Sequence, residues 1–231
     1  VSDPGSLDPD SLIVWRDEHV LVIDKPAGLV VHPARGHREG TLSQLLGGLA
    51  AGGEAERAGI VHRLDRDTSG LMVVARDEQS HTRLQAALRE RRVQREYLAL
   101  VEGVPPARTG TIEAPIGRHP RIRTRMAIDG VSPREARTHF ELEERLGDYA
   151  LLRLRLDTGR THQIRVHLQA IGHAVCGDPE YGTVGLLGLG RQFLHATRLA
   201  FPHPITGEPL DLTSPLPRDL REALERAGSG D

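Results

Sequence analysis

Apolar positions recur along this chain mostly with a period of two, in runs of four to eight residues cut by turn-forming residues. Such runs read as strands. Leu12 to Trp15 and Val20 to Asp24 flank a charged turn, Arg16-Asp17-Glu18-His19, and predict a hairpin closed by Lys25-Pro26-Ala27-Gly28. Further strands are predicted at Leu29 to His32, Leu71 to Ala75, Glu96 to Val101, Thr111 to Ala114, Arg125 to Ile128 and Arg137 to Leu142. Leu152, Leu154 and Leu156 alternate with Arg153 and Arg155, the signature of a half-buried strand, and Phe193 to Phe201 adds another. Helical spacing is confined to four places. These are Thr41 to Ala50, Ser80 to Arg91 (apolar at Leu84, Ala87 and Leu88), His162 to Ile171 ended by Gly172, and Pro217 to Ala227. Hairpins outnumber strand–helix–strand units. The expectation is therefore an α+β fold on a mixed, largely antiparallel sheet flanked by helices and loops. Residues 1–11 read as a flexible tail rich in Pro, Gly, Ser and Asp, and 12–226 as one domain, because no linker is long enough to force two.

Composition narrows the class. With 38% hydrophobic and 27% charged residues in 231, the chain can bury a core. No apolar run approaches the ~18 residues of a membrane span. The start, Val1-Ser2-Asp3-Pro4-Gly5, lacks the basic and apolar regions of a secretory signal. Cys176 is the single cysteine, so no intramolecular disulfide can form, and a reducing cytoplasmic setting is expected. The net charge of −2 speaks weakly against a nucleic-acid partner, but the charge is unevenly spread. Between Gln79 and Arg125 stand ten arginines and four glutamates; acid gathers instead between Glu135 and Asp148. Such a basic stretch suits either phosphate binding or an ordinary solvated face.

Three segments hold residue types that carry chemistry. His62-Arg63-Leu64-Asp65-Arg66-Asp67-Thr68-Ser69-Gly70 crowds polar groups into a short loop ahead of a buried strand. Asp65 and Asp67, two apart, would point to opposite sides of an extended backbone and so would not form an acid–base pair. Gly159-Arg160-Thr161-His162-Gln163-Ile164-Arg165-Val166-His167 offers arginine clamps behind a glycine turn, with Thr161 as a helix cap. Its histidines are five apart, which is not the spacing of a helical zinc pair, and His167 reads as ordinary helix packing. Arg95-Glu96-Tyr97 supplies one of only seven aromatic residues, too few for a stacking platform on single-stranded nucleic acid.

Together these segments closely resemble the RluA-type pseudouridine synthases. His62-Arg63-Leu64-Asp65 with Thr68-Ser69-Gly70 resembles the family's central signature. Leu21 to Gly28, Val30 to Pro33, Arg95 to Tyr97, Gly159 to His167, Gly177-Asp178-Pro179-Glu180-Tyr181-Gly182 and Leu194-His195-Ala196 are similar to its other motifs, in family order. The resemblance runs from about Leu12 to Leu224. It implies that 12–226 is a catalytic domain isomerising uridine to pseudouridine within RNA: the C1′–N1 bond breaks, the uracil turns, and C5 bonds to C1′. No redox step occurs and no bond energy must be imported, so no cofactor is needed; the histidine spacing, the single cysteine and the lack of a closely paired acid argue against a metal. It further implies Asp65 as the catalytic carboxylate, fitting either as a nucleophile on the sugar or as a base toward the 2′ proton. Arg165 would pair with Asp65 and orient it. Tyr97 would stack on the base and help move a proton from C5, Ile164 and Leu194 would wall the pocket, and Arg63 would help hold the target nucleotide out of its helix. Arg118, Arg121 and Arg123 lie in the basic stretch, in what reads as a loop or hairpin tip, and are expected to contact phosphates.

The expected partner is RNA, ribosomal RNA ahead of transfer RNA, with no membrane partner and a monomeric chain. The segment His32-Pro33-Ala34-Arg35-Gly36 is more similar to relatives that modify large-subunit ribosomal RNA. Many family members carry a small RNA-binding module ahead of the catalytic part; this chain begins almost at the catalytic part. Two other classes stay open on the residues alone. A nucleoside hydrolase or glycosidase would need a second carboxylate. A non-catalytic RNA-binding or ribosome-assembly module would leave the Asp65 loop purely structural.

Overall fold

The computed structural model describes residues 7–33 and 39–229. Residues 1–6 of the expected tail, and 34–36 of the segment noted above, lie outside that set. In chain order the elements are β1 (Ile13–Arg16), β2 (Val20–Lys25), α1 (Leu42–Leu45), β3 (Ser69–Ala75), α2 (Glu78–Arg89), β4 (Gln94–Glu102), β5 (Thr109–Glu113) and β6 (Ile116–Arg118). There follow β7 (Met126–Ile128), β8 (Val131–Arg134), β9 (Arg137–Leu146), β10 (Tyr149–Leu156), α3 (Gln163–Ala170), β11 (Leu194–Pro202), β12 (Pro209–Thr213) and α4 (Arg218–Ser229). Strands dominate, short helices accompany them, and the α+β expectation holds.

The chain forms two compact units, one from residues 1–95 and 196–214, the other from 96–195 and 215–231. In the first, strands run in the order β1-β2-β3-β11, with β12 pairing β11. The β1–β2, β2–β3 and β11–β12 pairings are antiparallel. All seven residues of β3 are buried, as its unbroken apolar run requires of a strand covered on both faces. Val20, Val22, Leu71 and Val73 pack there with Leu84 and Ala87 of α2, the two positions of that helix set three apart toward the core. Asp77 caps α2 by accepting from the Ser80 amide at 2.7 Å.

In the second unit β4, β10, β9 and β5 are neighbours in that order, with antiparallel pairing throughout. Beside them β7, β6 and β8 form a small antiparallel sheet. Ile116, Ala136 and Val166 make a core cluster against which Met126, Ile128 and Tyr181 pack. His167 is fully buried, with Nδ1 2.9 Å from the Thr138 hydroxyl and Nε2 3.0 Å from the Ala114 carbonyl. Burial lowers its pKa, so it serves as a neutral core histidine, as the sequence suggests.

Several expectations fail for local reasons. Leu29 to His32 is not a strand: it forms a loop whose Val30 and Val31 carbonyls accept from Leu42 and Ser43. The helix predicted to Ala50 stops after one turn, because Gly47 and Gly48 follow and Gly48 takes a φ of +84°. Thr161 does not cap α3; His162 does, in the left-handed conformation, and the Gln163 side chain braces the turn by accepting from the Arg160 amide at 3.0 Å. β8 lacks the alternation that marks a strand, and β12, not among the predicted strands, alternates over only five residues. β8 is exposed along its whole length, and β12 opens on Pro209, as an edge strand tolerates.

Candidate active site

The Asp65 loop belongs to the first unit, and its position is set by a lysine. Lys25, the only lysine of the chain, ends β2 directly opposite Gly70 of β3 and is fully buried. Its ammonium donates to the carbonyls of Pro26 (2.8 Å), Leu29 (2.9 Å) and Arg66 (2.9 Å). A buried ammonium needs such acceptors to replace lost water. The Arg66 carbonyl also accepts from the Gly28 amide at 3.0 Å. The residue after Asp65 is thus pinned twice. The Thr68 amide donates to the Asp65 carbonyl at 3.1 Å and closes the turn, while Leu64, Thr68 and Ser69 are buried anchors on either side. Gly70 is obligatory: its φ is +114°, and a Cβ there would lie 2.3 Å from the Ala196 carbonyl oxygen. Asp65 itself is half-buried. Asp67 pairs with the neighbouring Arg66 at 2.9 Å.

Arg63 joins Asp65 in this unit; burial lowers its pKa, and the Asp65 carboxylate opposes that shift. Its guanidinium stands 3.3 Å from Nε2 of His32. An arginine can only donate, so Nε2 of His32 must be the acceptor and Nδ1 carries the proton. Burial, then the charges of Arg63 and Arg57, hold the His32 pKa down at about 4. His62 is also kept neutral. Its Nε2 accepts from the Val73 amide at 3.0 Å, and burial, then the Arg95 charge, push its pKa down to about 3. These two histidines and Lys25 were not singled out from the sequence. A lone lysine next to proline at a strand end was the available signal.

The second unit holds the other expected residues. Tyr97 lies on β4, buried, opposite Leu154 of β10. Arg165 and Ile164 lie on α3 and Leu194 opens β11; all three are buried. Arg165 is held by acid from its own unit: Nε donates to Asp178 Oδ2 at 2.6 Å, Nη2 to Asp178 Oδ1 at 2.9 Å and to Glu180 Oε2 at 2.9 Å. Asp178 is itself fully buried, and its Oδ1 also accepts the amides of Glu180 (2.9 Å) and Tyr181 (3.1 Å). The Gly177-to-Gly182 motif therefore builds a socket for Arg165. The motif resemblance assigns these acids no task. The 13-residue gap between Arg165 and Asp178 leaves no periodic trace of their contact.

Arg118, Arg121 and Arg123 cluster on one hairpin. Arg118 ends β6 opposite Met126 of β7, and Arg121 and Arg123 occupy the exposed tip between the two strands. The His119 ring braces that tip by accepting from the amides of Arg121 (3.2 Å) and Ile122 (3.0 Å). None of the three arginines forms an ion pair among the described residues, which disfavours a role answering the acidic Glu135–Asp148 stretch.

A fold of short antiparallel strands, with an aspartate loop pinned at a strand end in one unit and an arginine socketed by acids in the other, defines an α+β protein with two rigidly held charged groups. Its sequence matches the family model for RNA pseudouridylate synthases over residues 19–170. It is 54% identical to an uncharacterized RNA pseudouridine synthase of Chloroflexus aurantiacus, over 88% of this chain and 65% of that protein. It is 48% identical to the ribosomal large subunit pseudouridine synthase D of Xanthomonas campestris pv. campestris, over 92% of this chain and 68% of that one. Human RNA pseudouridylate synthase domain containing 4 superposes with a TM-score of 0.74 at 29% identity, covering 95% of each chain. The chain spans about two thirds of the length of these curated relatives, and just under that share of the first. The chain belongs to the RNA pseudouridylate synthase family.

Proposed function

We propose that this protein isomerises uridine to pseudouridine in structured RNA, with ribosomal RNA of the large subunit as substrate, and that it acts in the cytoplasm. Family membership supports the reaction, and the printed name of the Xanthomonas relative supports the substrate class. The observation that carries the reading is the doubly pinned Arg66 carbonyl. It holds Asp65 on a loop whose two ends are buried, the rigidity a catalytic carboxylate needs. Asp65 starts the reaction at the sugar, Tyr97 stacks on the uracil, and Arg165 supplies a fixed positive charge. Ile164 and Leu194 contribute apolar surface. Arg63 supports the extruded nucleotide, and the cost of extrusion, roughly a few kcal/mol, is recovered through phosphate contacts of Arg118, Arg121 and Arg123. The reaction is an isomerisation, so atoms and electrons balance within the nucleotide and no redox cofactor is required. None of the helices among the described residues is long and apolar enough to cross a membrane.

The test is Asp65→Asn on a large-subunit ribosomal RNA fragment, with pseudouridine mapped chemically. The asparagine keeps shape and loses charge. Pseudouridine formation should fall on the order of 100-fold or more while RNA affinity is kept. Asp67→Asn is the control and should have a mild effect, because that side chain faces Arg66. Near-normal turnover in Asp65→Asn would remove the reading, and free uracil as product would indicate a hydrolase instead.

A further inference from the structure

Within the second unit, Tyr181 has one end on the arginine hairpin and the other on the Arg165 socket. Its hydroxyl accepts from the Met126 amide at 2.7 Å and stands 2.9 Å from Nδ1 of His162. The Met126 carbonyl is farther from the hydroxyl, at 3.4 Å, and the same Nδ1 of His162 lies 3.4 Å from Glu180 Oε2. Burial first of all keeps the phenol protonated, with its pKa up at about 12. At its backbone end, the Tyr181 amide donates at 3.1 Å to Asp178 Oδ1, the carboxylate that grips Arg165. The ring fills the space between. The guanidinium carbon of Arg165 lies 5.0 Å from its centroid and that of Arg125 lies 5.8 Å away, both within cation–π range. His162, the left-handed residue that opens α3, meets the same ring edge-on at 5.6 Å between centroids.

Met126 is the last paired residue before the arginine tip, opposite Arg118. A shift of the tip on meeting phosphate reaches the Tyr181 hydroxyl through the Met126 amide. From there it reaches both His162, which caps α3, and the carboxylate that orients Arg165. We propose that Tyr181 is a positioning residue that couples RNA engagement by the β6–β7 hairpin to the setting of Arg165. This inference rests on the functional reading above. It assigns a task to a half-buried residue that the functional reading leaves without one.

The experiment compares steady-state kinetics of the full chain on a ribosomal RNA fragment for four proteins: wild type, Tyr181→Phe, the triple variant R118A/R121A/R123A, and their combination. Phenylalanine keeps the ring against both arginines and removes the link to Met126 and His162. Tyr181→Phe should lower kcat by roughly tenfold, the worth of one well-made hydrogen bond, and change KM little. The triple variant should raise KM and lower kcat. Added to Tyr181→Phe it should raise KM without lowering kcat further, because the path from tip to Arg165 is already cut. A merely structural tyrosine would give kcat losses that multiply, and that outcome, or wild-type kcat in Tyr181→Phe, overturns the proposal. Amide exchange gives a readout free of turnover. RNA should slow exchange in residues 163–170 of the wild type and not of Tyr181→Phe; equal slowing in both refutes the coupling. Should Tyr181→Phe fail to fold, His162→Gln cuts the same link from the other side and should reproduce the loss in kcat. A wild type that makes no pseudouridine would overturn the functional reading, while the exchange comparison would still decide on Tyr181.

Discussion

Lys25 shows how much of the Asp65 loop depends on a residue outside it. Its ammonium is buried among three carbonyls, one of them the Arg66 carbonyl next to Asp65. Lys25→Met keeps the length and apolar stem but strands those acceptors, and should cost about 2–4 kcal/mol of stability, read from chemical denaturation. Turnover should fall further than RNA affinity, since the loop that carries Asp65 is loosened. A variant as stable as wild type would show that water replaces the ammonium. Tyr97 tests a different property. Tyr97→Phe retains the ring on β4 and removes the hydroxyl, so RNA affinity should be nearly unchanged. Turnover should drop by roughly 100-fold or more if the hydroxyl moves a proton. Single-turnover kinetics with a binding titration separate the two quantities, and wild-type turnover would reduce Tyr97 to a stacking residue. Asp65, Tyr97 and Arg165 were named from motif resemblance. Residue chemistry alone left the Asp65 loop and Tyr97 open to structural readings, because nothing in a polar loop or a strand tyrosine announces a substrate.

At the scale of elements, the β6–β7 hairpin is the feature that the functional reading leans on most for RNA binding. Gly117 permits its tight pairing, since a Cβ there would lie 2.6 Å from the Gly130 carbonyl carbon. The exposed tip then presents arginines free of ion pairs among the described residues. R118A/R121A/R123A should weaken RNA binding without unfolding the chain, and should shrink the log–log salt dependence of affinity by about one unit of slope per lost phosphate contact. Titrations at two salt concentrations check this; an unchanged slope would move the RNA surface elsewhere, with Arg153, Arg155 and Arg160 the next candidates. The sequence anticipated a loop or hairpin tip here but not β8, the third strand of the small sheet. β8 is exposed at every position and contains Pro133, so neither alternation nor propensity marks it. Helix α1 shows the converse: apolar spacing suggested ten residues, and two glycines ended it after one turn.

For the molecule as a whole, pH should act through histidines that folding keeps neutral. His32 and His62 have folded pKa values of about 4 and about 3, below the ~6.5 of an unfolded chain. Unfolding in that window takes up protons. Stability is therefore fully present above about pH 6.5 and declines as pH falls toward 4, with a slope of up to about 1.4 kcal/mol per pH unit for each histidine. Denaturation midpoints between pH 7 and 4 measure this, and His62→Gln should flatten the slope; an unaltered slope would place the proton uptake on other groups. The two compact units are each assembled from segments distant in the chain, 1–95 with 196–214 and 96–195 with 215–231, and no linker in the sequence marks their limits. Period-two patterning by itself determined half-buried strands such as β10, an unbroken apolar run determined β3, and the two together the α+β class. The ordered motifs by themselves determined the family. Only the tertiary structure decided that Lys25 pins Arg66 across 41 positions, that Asp178 grips Arg165, and that Tyr181 reaches Met126 across 55. Periodicity records which face of an element is buried, whereas a hydrogen bond between distant side chains depends on where folding brings them, and leaves no spacing to read.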